Sequence, residues 1–451
     1  MKTKYYLILL MSCLSFSCEK YLEIKPDKKL SEPSDNLNNL KLMLDDTNTL
    51  NQQVPGMGEA ASDNIFIRDS QFDAIQQVSV SSVNSYLWQR DVFNDKARND
   101  WALPYAVVIN ANLVLEGAEK IKPGPSEQQL WNVVKGSALF FRSFSFYTLL
   151  QEFAKPYNSS SSSQDPGIVL KLNSDINELS KRTNVKLCYE KIISDLNDAV
   201  NLLPETLKFK TEPSRAAGYA LLARAHLSMS NYNLSLENAE KAVALSPTLI
   251  DYNTLNAATT YPLVRYNAEV IFHASLTQDR AITYPYACAD ENLYNTYRSD
   301  DLRRSIFFRR NGPGDIQFRG SYVGSATNFG GIASDELYLI GAECAARIGN
   351  RAKAMDLLNK LASKRYKQPG FVSFTPATDQ EALDLVLAER RKELLFRNLR
   401  WGDINRLKSD PRYRTDIIKV SKGVSFSLPA DKYYIFPIPL KVIEFSGIEQ
   451  N

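Results

Sequence analysis

The sequence predicts a mostly α-helical protein assembled from helix pairs, and three observations carry that prediction. Apolar and small residues recur at i, i+4 and i+7 through most of the chain. Clusters of Pro, Gly, Asn and Ser interrupt these runs at intervals that leave two helices back to back. One pair, divided at Ser230, Asn231 and Tyr232, carries small residues on both of its facing sides.

The elements follow in chain order. Residues 99 to 121 (NDWALPYAVVINANLVLEGAEKI) and 126 to 153 (SEQQLWNVVKGSALFFRSFSFYTLLQEF) form one pair across the turn at Pro123, Gly124 and Pro125. Trp101 is expected in the core there. Residues 185 to 204 form a further helix that ends at Pro204. From Ser214, Ala216, Ala220, Ala223 and Leu227 share a face; Ser235, Ala239 and Ala242 repeat the spacing until Pro247 stops it. Facing helices with such small residues can approach closely, which is the tetratricopeptide-repeat arrangement, here degenerate because Ser235 replaces the expected alanine. His226 is expected to pack between helices. A last pair starts at Ser334, an expected N-cap, with Asp335 and Glu336 where the helix dipole favours acids. It turns at Gly349 and Asn350 and resumes with Ala354, Leu358 and Leu361. Several such pairs stack into a superhelical scaffold.

Three irregular segments separate the helices: residues 44 to 90, residues 158 to 183 with the run Ser159 to Ser163, and residues 248 to 333. Loops this long in a compact protein are functional or disordered, and the serine run is expected to be a mobile surface loop. We divide the chain into a leader (1–17), an N-terminal region (18–230) and a C-terminal region (231–451).

The leader places Lys2 and Lys4 ahead of an apolar run from Tyr5 to Met11, the order of a secretory signal peptide and too short to span a bilayer. Small residues, Ser15 and Ser17, lead into Cys18, in a pattern that resembles the lipobox of bacterial lipoproteins. Acylation is therefore expected at Cys18. Cys13 is a rival, but it would leave a shorter apolar region than such leaders have. An ordinary secreted protein with an incidental Cys18 is the plainer alternative.

Composition excludes several kinds of chemistry. The 54 Lys and Arg nearly balance 51 Asp and Glu, without the basic surplus of a nucleic-acid binder. Only His226 and His273 are available, so a Ser-His-Asp triad or a multi-histidine metal centre has little to be built from. No GxxxxGK[ST] phosphate loop is present, and no GxGxxG follows a strand. Cys188, Cys288 and Cys344 are odd in number and widely spaced, which fits buried thiols rather than a disulfide framework or zinc site. No cofactor and no metal are expected. A carboxylate-pair glycosidase is not excluded by counting, but no pair stands out. Aromatics make up 11% of the chain, with 23 Tyr. In an exported protein poor in catalytic side chains, that surplus points to binding.

The run ERRKELLFRNLRWGDINRLK, residues 389 to 408, resembles a hallmark of the SusD/RagB family of bacterial nutrient-binding lipoproteins. Glu389, Arg390, Glu393, Arg400, Trp401, Asp403 and Arg406 occupy the family's charged and aromatic places, while Asn398 stands where glycine is common and Gly402 where a second aromatic often follows. INANLVLE, GSALFFRSFSFYTLLQEF, IISDLNDAVNLLP, CEKYLEIKP and the Pro-Ile-Pro ending in YYIFPIPLKVIEFSGIEQN are similar to other family segments in the same order. The resemblance implies a SusD-like fold across residues 18 to 451. It also implies a surface-exposed outer-membrane lipoprotein that binds a glycan or oligosaccharide and delivers it to a SusC-type TonB-dependent transporter. Peptide cargo with the same transport role, a secreted all-helical glycosidase and a peptide-binding repeat scaffold are the alternatives.

By spacing, Glu389 and Glu393, then Glu393 and Arg397, are i, i+4 neighbours on one helix, with Leu383, Leu387 and Leu394 on its apolar side. Glu389, Arg390, Glu393, Arg400, Trp401 and Asp403 are accordingly expected to form a structural framework. A sugar site needs flat aromatics for stacking and Asn, Asp, Gln or Arg for hydrogen bonds. Outside the helix repeats, the candidates are Asp63, Asn64, Tyr86, Trp88, Tyr284, Tyr286, Asn292, Tyr294 and Tyr297.

Overall fold

A computed structural model describes residues 35–93, 99–312 and 314–451. The leader, Cys13 and the expected acylation site Cys18 lie outside the described residues.

Eight long helices make the scaffold: α1 (Ala102–Lys120), α2 (Gln128–Phe153), α3 (Val185–Leu202), α4 (Arg215–Ser228), α5 (Tyr232–Leu245), α6 (Ser334–Arg347), α7 (Arg351–Ala362) and α8 (Asp379–Glu393). Neighbours pack in sequence from α1 to α5. Then α5 meets α6 across the long insertion, and α6 carries both α7 and α8. Side chains fix several starts: Asn184 accepts from Leu187 N, Ser214 from Ala217 N and Asn350 from Lys353 N. Thr378 and Glu381 form a reciprocal capping box at α8. The turns at 229–231 and 348–350 use left-handed residues, Ser230 at φ 60° and Gly349 at φ 78°.

Helix α2 is apolar on nearly every face and runs through the centre, as such a helix must. Phe140, Phe141 and Phe144 close around Phe272 at ring-centroid distances of 4.9 to 5.7 Å. Arg142 on the same helix is buried because Asp195 and the Asn112 carbonyl oxygen take its N–H groups. The degenerate repeat is explained by Ser235, whose buried hydroxyl donates to Ala223 O at 2.8 Å across the α4/α5 contact. His226 is buried between helices, and burial lowers its pKa.

Several expectations need correction. Residues 44 to 90 are not one irregular stretch: short helices Thr47–Leu50, Met57–Ala61, Asp69–Val78 and Val80–Tyr86 and the strand Ile65–Ile67 occupy much of it. The serine run is partly interior, with Ser162 buried and Ser161 donating to Asp165 at 2.5 Å. Ser334 is the first residue of α6 rather than its cap; its hydroxyl donates to Glu269 O. Residues 248 to 333 contain short strands, among them Val270–Phe272 paired with Ile332–Ala333 and Ala287–Ala289 paired with Ile65–Ile67. The division expected at 230/231 is untouched by these differences; it falls in the turn between α4 and α5. Among the described residues, no helix is long and apolar enough to cross a membrane.

Candidate functional site

The charge-rich run at the end of α8 is interior. Arg303 meets Asp301 at 2.7 Å, Glu389 at 2.5 Å and Glu393 at 3.0 Å, and Arg365 bridges Glu393 and Glu269 at 2.7 Å each. Arg390 and Arg406 both reach Asp403 at 2.8 Å, and Arg406 continues to Glu343 at 2.5 Å. Those arginines, with Arg347, hold the Glu343 carboxyl down at about 2 although burial alone would raise it. Trp401 is buried against Phe436. The helix ends at Glu393, so Arg397 is not the face neighbour of Glu393 that the spacing implied. Phe396 and Asn398 adopt φ of 59° and 56°, and this tight turn sends Arg397 to a two-bond pairing with Asp335 at 2.8 and 3.1 Å. The left-handed conformation at Asn398 is why glycine serves there and why asparagine can replace it.

Asn398 also connects this turn to the early segment. Its side-chain N–H groups donate to Pro55 O at 2.7 Å and to Glu152 Oε1 at 3.0 Å. The Glu59 carboxylate accepts from Phe396 N, Asn398 N and Asn64 Nδ2 at 2.8 to 3.2 Å. Among the described residues no cation forms an ion pair with Glu59, and burial raises its pKa to about 7. Asp100 accepts from Gly56 N and Met57 N, and Glu152 accepts from Gly58 N.

The expected ligand residues divide into two groups. Asn64, Tyr86, Tyr294 and Tyr297 are buried, and no glycan on the surface can reach them. Asn64 bonds Glu59 and Arg391, the Tyr86 ring lies under Lys419 Nζ at 3.9 Å, Tyr294 packs on Phe308, and the Tyr297 hydroxyl donates to Lys392 O at 2.7 Å. Asp63 is also committed: Arg400 grips both its oxygens at 2.7 and 2.8 Å and Arg391 stands at 3.1 Å. Burial would raise its pKa, but the two guanidiniums hold it well below the carboxylate range. Trp88, Tyr284, Tyr286 and Asn292 keep some exposure. Trp88 Nε1 donates to Ala61 O, Tyr284 is half exposed, and the Arg280 guanidinium lies 5.8 Å from the Tyr286 ring.

A cleft of about 180 Å³ opens between the early segment and the insertion, and its lining includes none of the candidate aromatics. The Arg280–Ile282 turn, which leads to Tyr284 and Tyr286, packs on the Met57–Ala61 and Val80–Tyr86 helices and closes one side. Ser79, Ser81 and Ser82 on one wall and Thr277, Gln278 and Asp279 on the other supply polar groups, while Met57, Val92 and Phe93 supply apolar surface. The wall is ordered from within: Ser79 Oγ lies 2.8 Å from Ser82 Oγ, Arg280 N donates to Ser82 Oγ, and Thr277 Oγ1 donates to Asp100 at 2.8 Å. Reading the sequence for aromatics passed over these small polar residues. The only signal for them was the cluster SVSSV beside an apolar helix face and the dipeptide Gln278-Asp279 in the insertion.

Two family models match the chain. One, described as starch-binding and associating with the outer membrane, covers residues 20–227, and the SusD family model covers residues 335–450. SusD-like protein P2 of Formosa agariphila is 24% identical over 373 residues, 68% of this chain and 71% of that protein. Among solved structures, a putative sugar binding protein from Bacteroides vulgatus superposes with a TM-score of 0.75 at 22% identity, covering 93% of this chain and 99% of its own. A SusD superfamily protein from Bacteroides thetaiotaomicron gives 0.73 at 19% identity, covering 92% and 99%. The fold is therefore SusD-like, and the family is one of non-catalytic binding proteins. Matched at both ends by family models and along nearly its whole described length by the fold, the chain belongs to the SusD/RagB family, whose members bind carbohydrate in association with the outer membrane.

Proposed function

We propose that this protein captures an oligosaccharide at the cell surface and delivers it to a SusC-type TonB-dependent transporter, tethered to the outer membrane through an acylated Cys18. Membership of a carbohydrate-binding family supports the cargo class, and the cleft between Ser79–Ser82 and Thr277–Asp279 is the observation that carries the placement of the site. Sugar rings present C–H faces rimmed by hydroxyls, so a wall of Val92 and Phe93 opposite serine, threonine and carboxylate groups matches both parts of the ligand. A volume below the roughly 300–1,000 Å³ of sites that enclose a whole ligand suits one ring of a longer chain. Of the candidates outside the cleft, Trp88, Tyr284, Tyr286 and Asn292 keep the exposure that contact with the rest of that chain requires. Binding involves no bond cleavage, and delivery depends on proximity: tethering keeps cargo at high effective concentration beside the transporter. Two acyl chains or more make such a tether durable.

Calorimetry against starch and a panel of other polysaccharides tests the site in the wild type and in Trp88→Ala, Tyr284→Ala and Tyr286→Ala. Each lost stacking face is expected to weaken binding by roughly 2- to 10-fold, the equivalent of about 0.5–1.5 kcal/mol. Affinity unchanged in all three would remove the aromatics from the site. Labelling with palmitate in growing cells tests the tether; an unlabelled Cys18→Ser variant beside a labelled wild type is the expected result.

A further inference from the structure

A narrow pocket of about 30 Å³ lies where α2, α4, the first turn of α6 and the 390–406 segment meet. Its charged lining is Arg224, Arg390, Arg397 and Arg406 against Glu336 and Asp403. Both carboxylates are fully engaged. The Glu336 oxygens accept from Arg224 at 2.5 and 2.6 Å, and the Asp403 oxygens accept from Arg390 Nε at 2.8 Å and Arg406 Nε at 2.9 Å. Arg397 turns its terminal nitrogens to Asp335 and Arg406 turns its own to Glu343. Arg390 is different: it is 4% exposed, and its Nη1 meets no acceptor of the protein. A buried, charged donor without an acceptor is strongly unfavourable.

Charge counting points the same way. The lining itself carries four guanidiniums (Arg224, Arg390, Arg397, Arg406) and two carboxylates (Glu336, Asp403), while Asp335 behind it pairs with Arg397, and Glu343 with Arg406 and Arg347. The adjoining cluster sets Arg303, Arg365 and Lys392 against Asp301, Glu389, Glu393 and Glu269. Its fourth carboxyl, Glu269, pairs with Arg365 and accepts from Tyr322 and from Ile250 N, so it is spent within that cluster rather than beside Arg390 Nη1.

We propose that this cavity is a halide site, holding one chloride-sized anion against Arg390 Nη1. A space that admits one or two water-sized bodies suits a monatomic anion rather than a tetrahedral oxyanion. The ion gives Arg390 Nη1 an acceptor where the helix repeats meet the SusD motif, and it acts on stability irrespective of which cargo the protein binds.

Crystals soaked in sodium bromide and measured at the bromine absorption edge test the site in the wild-type protein. An anomalous peak within about 3.5 Å of Arg390 Nη1 is expected; density for water alone, with no anomalous signal, overturns the assignment. In solution, the melting temperature in sodium bromide is expected to exceed that in sodium isethionate of equal ionic strength by roughly 2 °C at about ten times the Kd. The difference should vanish in Arg390→Gln. Equal melting temperatures in the wild type overturn the proposal, and the diffraction measurement decides it even if the variant fails to fold.

Discussion

Replacing Glu59 by glutamine removes one titrating group from the interior and leaves one side-chain oxygen, which can accept from Phe396 N or Asn398 N but not both, a loss that does not vary with pH. The Glu59 carboxyl has an ordinary value of 4.5 and is held at about 7 by burial, against the opposing pull of its hydrogen bonds from Asn64, Phe396 and Asn398. At roughly 1.4 kcal/mol per pH unit, that gap is worth about 3 kcal/mol. The native state holds the proton more tightly than the unfolded chain. The stability from this group is therefore fully present below pH 4.5 and is lost as pH rises through about 7. Between pH 5 and pH 8 the wild type should lose about 2.5 kcal/mol relative to Glu59→Gln, because every other titrating group is common to both proteins and cancels in the difference. Urea unfolding of the pair at pH 5, 6, 7 and 8 measures it. A stability difference that stays constant within about 0.5 kcal/mol over that range would refute a buried, cation-free carboxyl at this position.

Two further substitutions probe the same framework. Asn398→Gly should cost about 1–2 kcal/mol for the lost bonds to Pro55 O and Glu152, and Asn398→Ala about 1 kcal/mol more because alanine resists a φ of 56°; equal melting temperatures for the two variants would contradict the turn geometry. Arg365→Met should cost about 3–5 kcal/mol in urea unfolding, since it leaves Glu269 and Glu393 buried without that partner, and a change below about 1 kcal/mol would show that the pairing is not needed.

What was legible in the sequence was what local periodicity encodes. The long helices appear at their expected places because apolar and small residues recur along them at helical spacing, while the caps do not: Ser334 was expected and is not one, and Asn184, Asn350 and Thr378 cap starts that the spacing did not single out. Arg390 and Asp403 pair with each other inside the run that the motif marks, but the partners of Glu389 and Glu393 were not legible: Arg303 and Arg365 lie in other segments. Residues 44 to 90 looked irregular because their helices are too short and polar to show a period. They are ordered by distant groups, Asp63 by Arg400 and Met57 N by Asp100. The tyrosines of the insertion misled for a related reason. Tyr294 and Tyr297 share an aromatic cluster with Phe308, and nothing in a run of exposed-looking polar neighbours announces that burial.

The bonds that hold residues 56 to 64 have a consequence for biogenesis. Asp63 and Arg400 are 337 residues apart, and Glu59 and Asn398 are 339 apart. A chain that crosses a membrane from its N-terminus delivers the first of each pair long before the second. The early segment must then wait, with its carboxylates hydrated, for the C-terminal part of the chain to arrive. Closure across such separations is slow and leaves unfinished intermediates open to aggregation. Final compaction of this fold is therefore a late event, set by the last helices rather than the first.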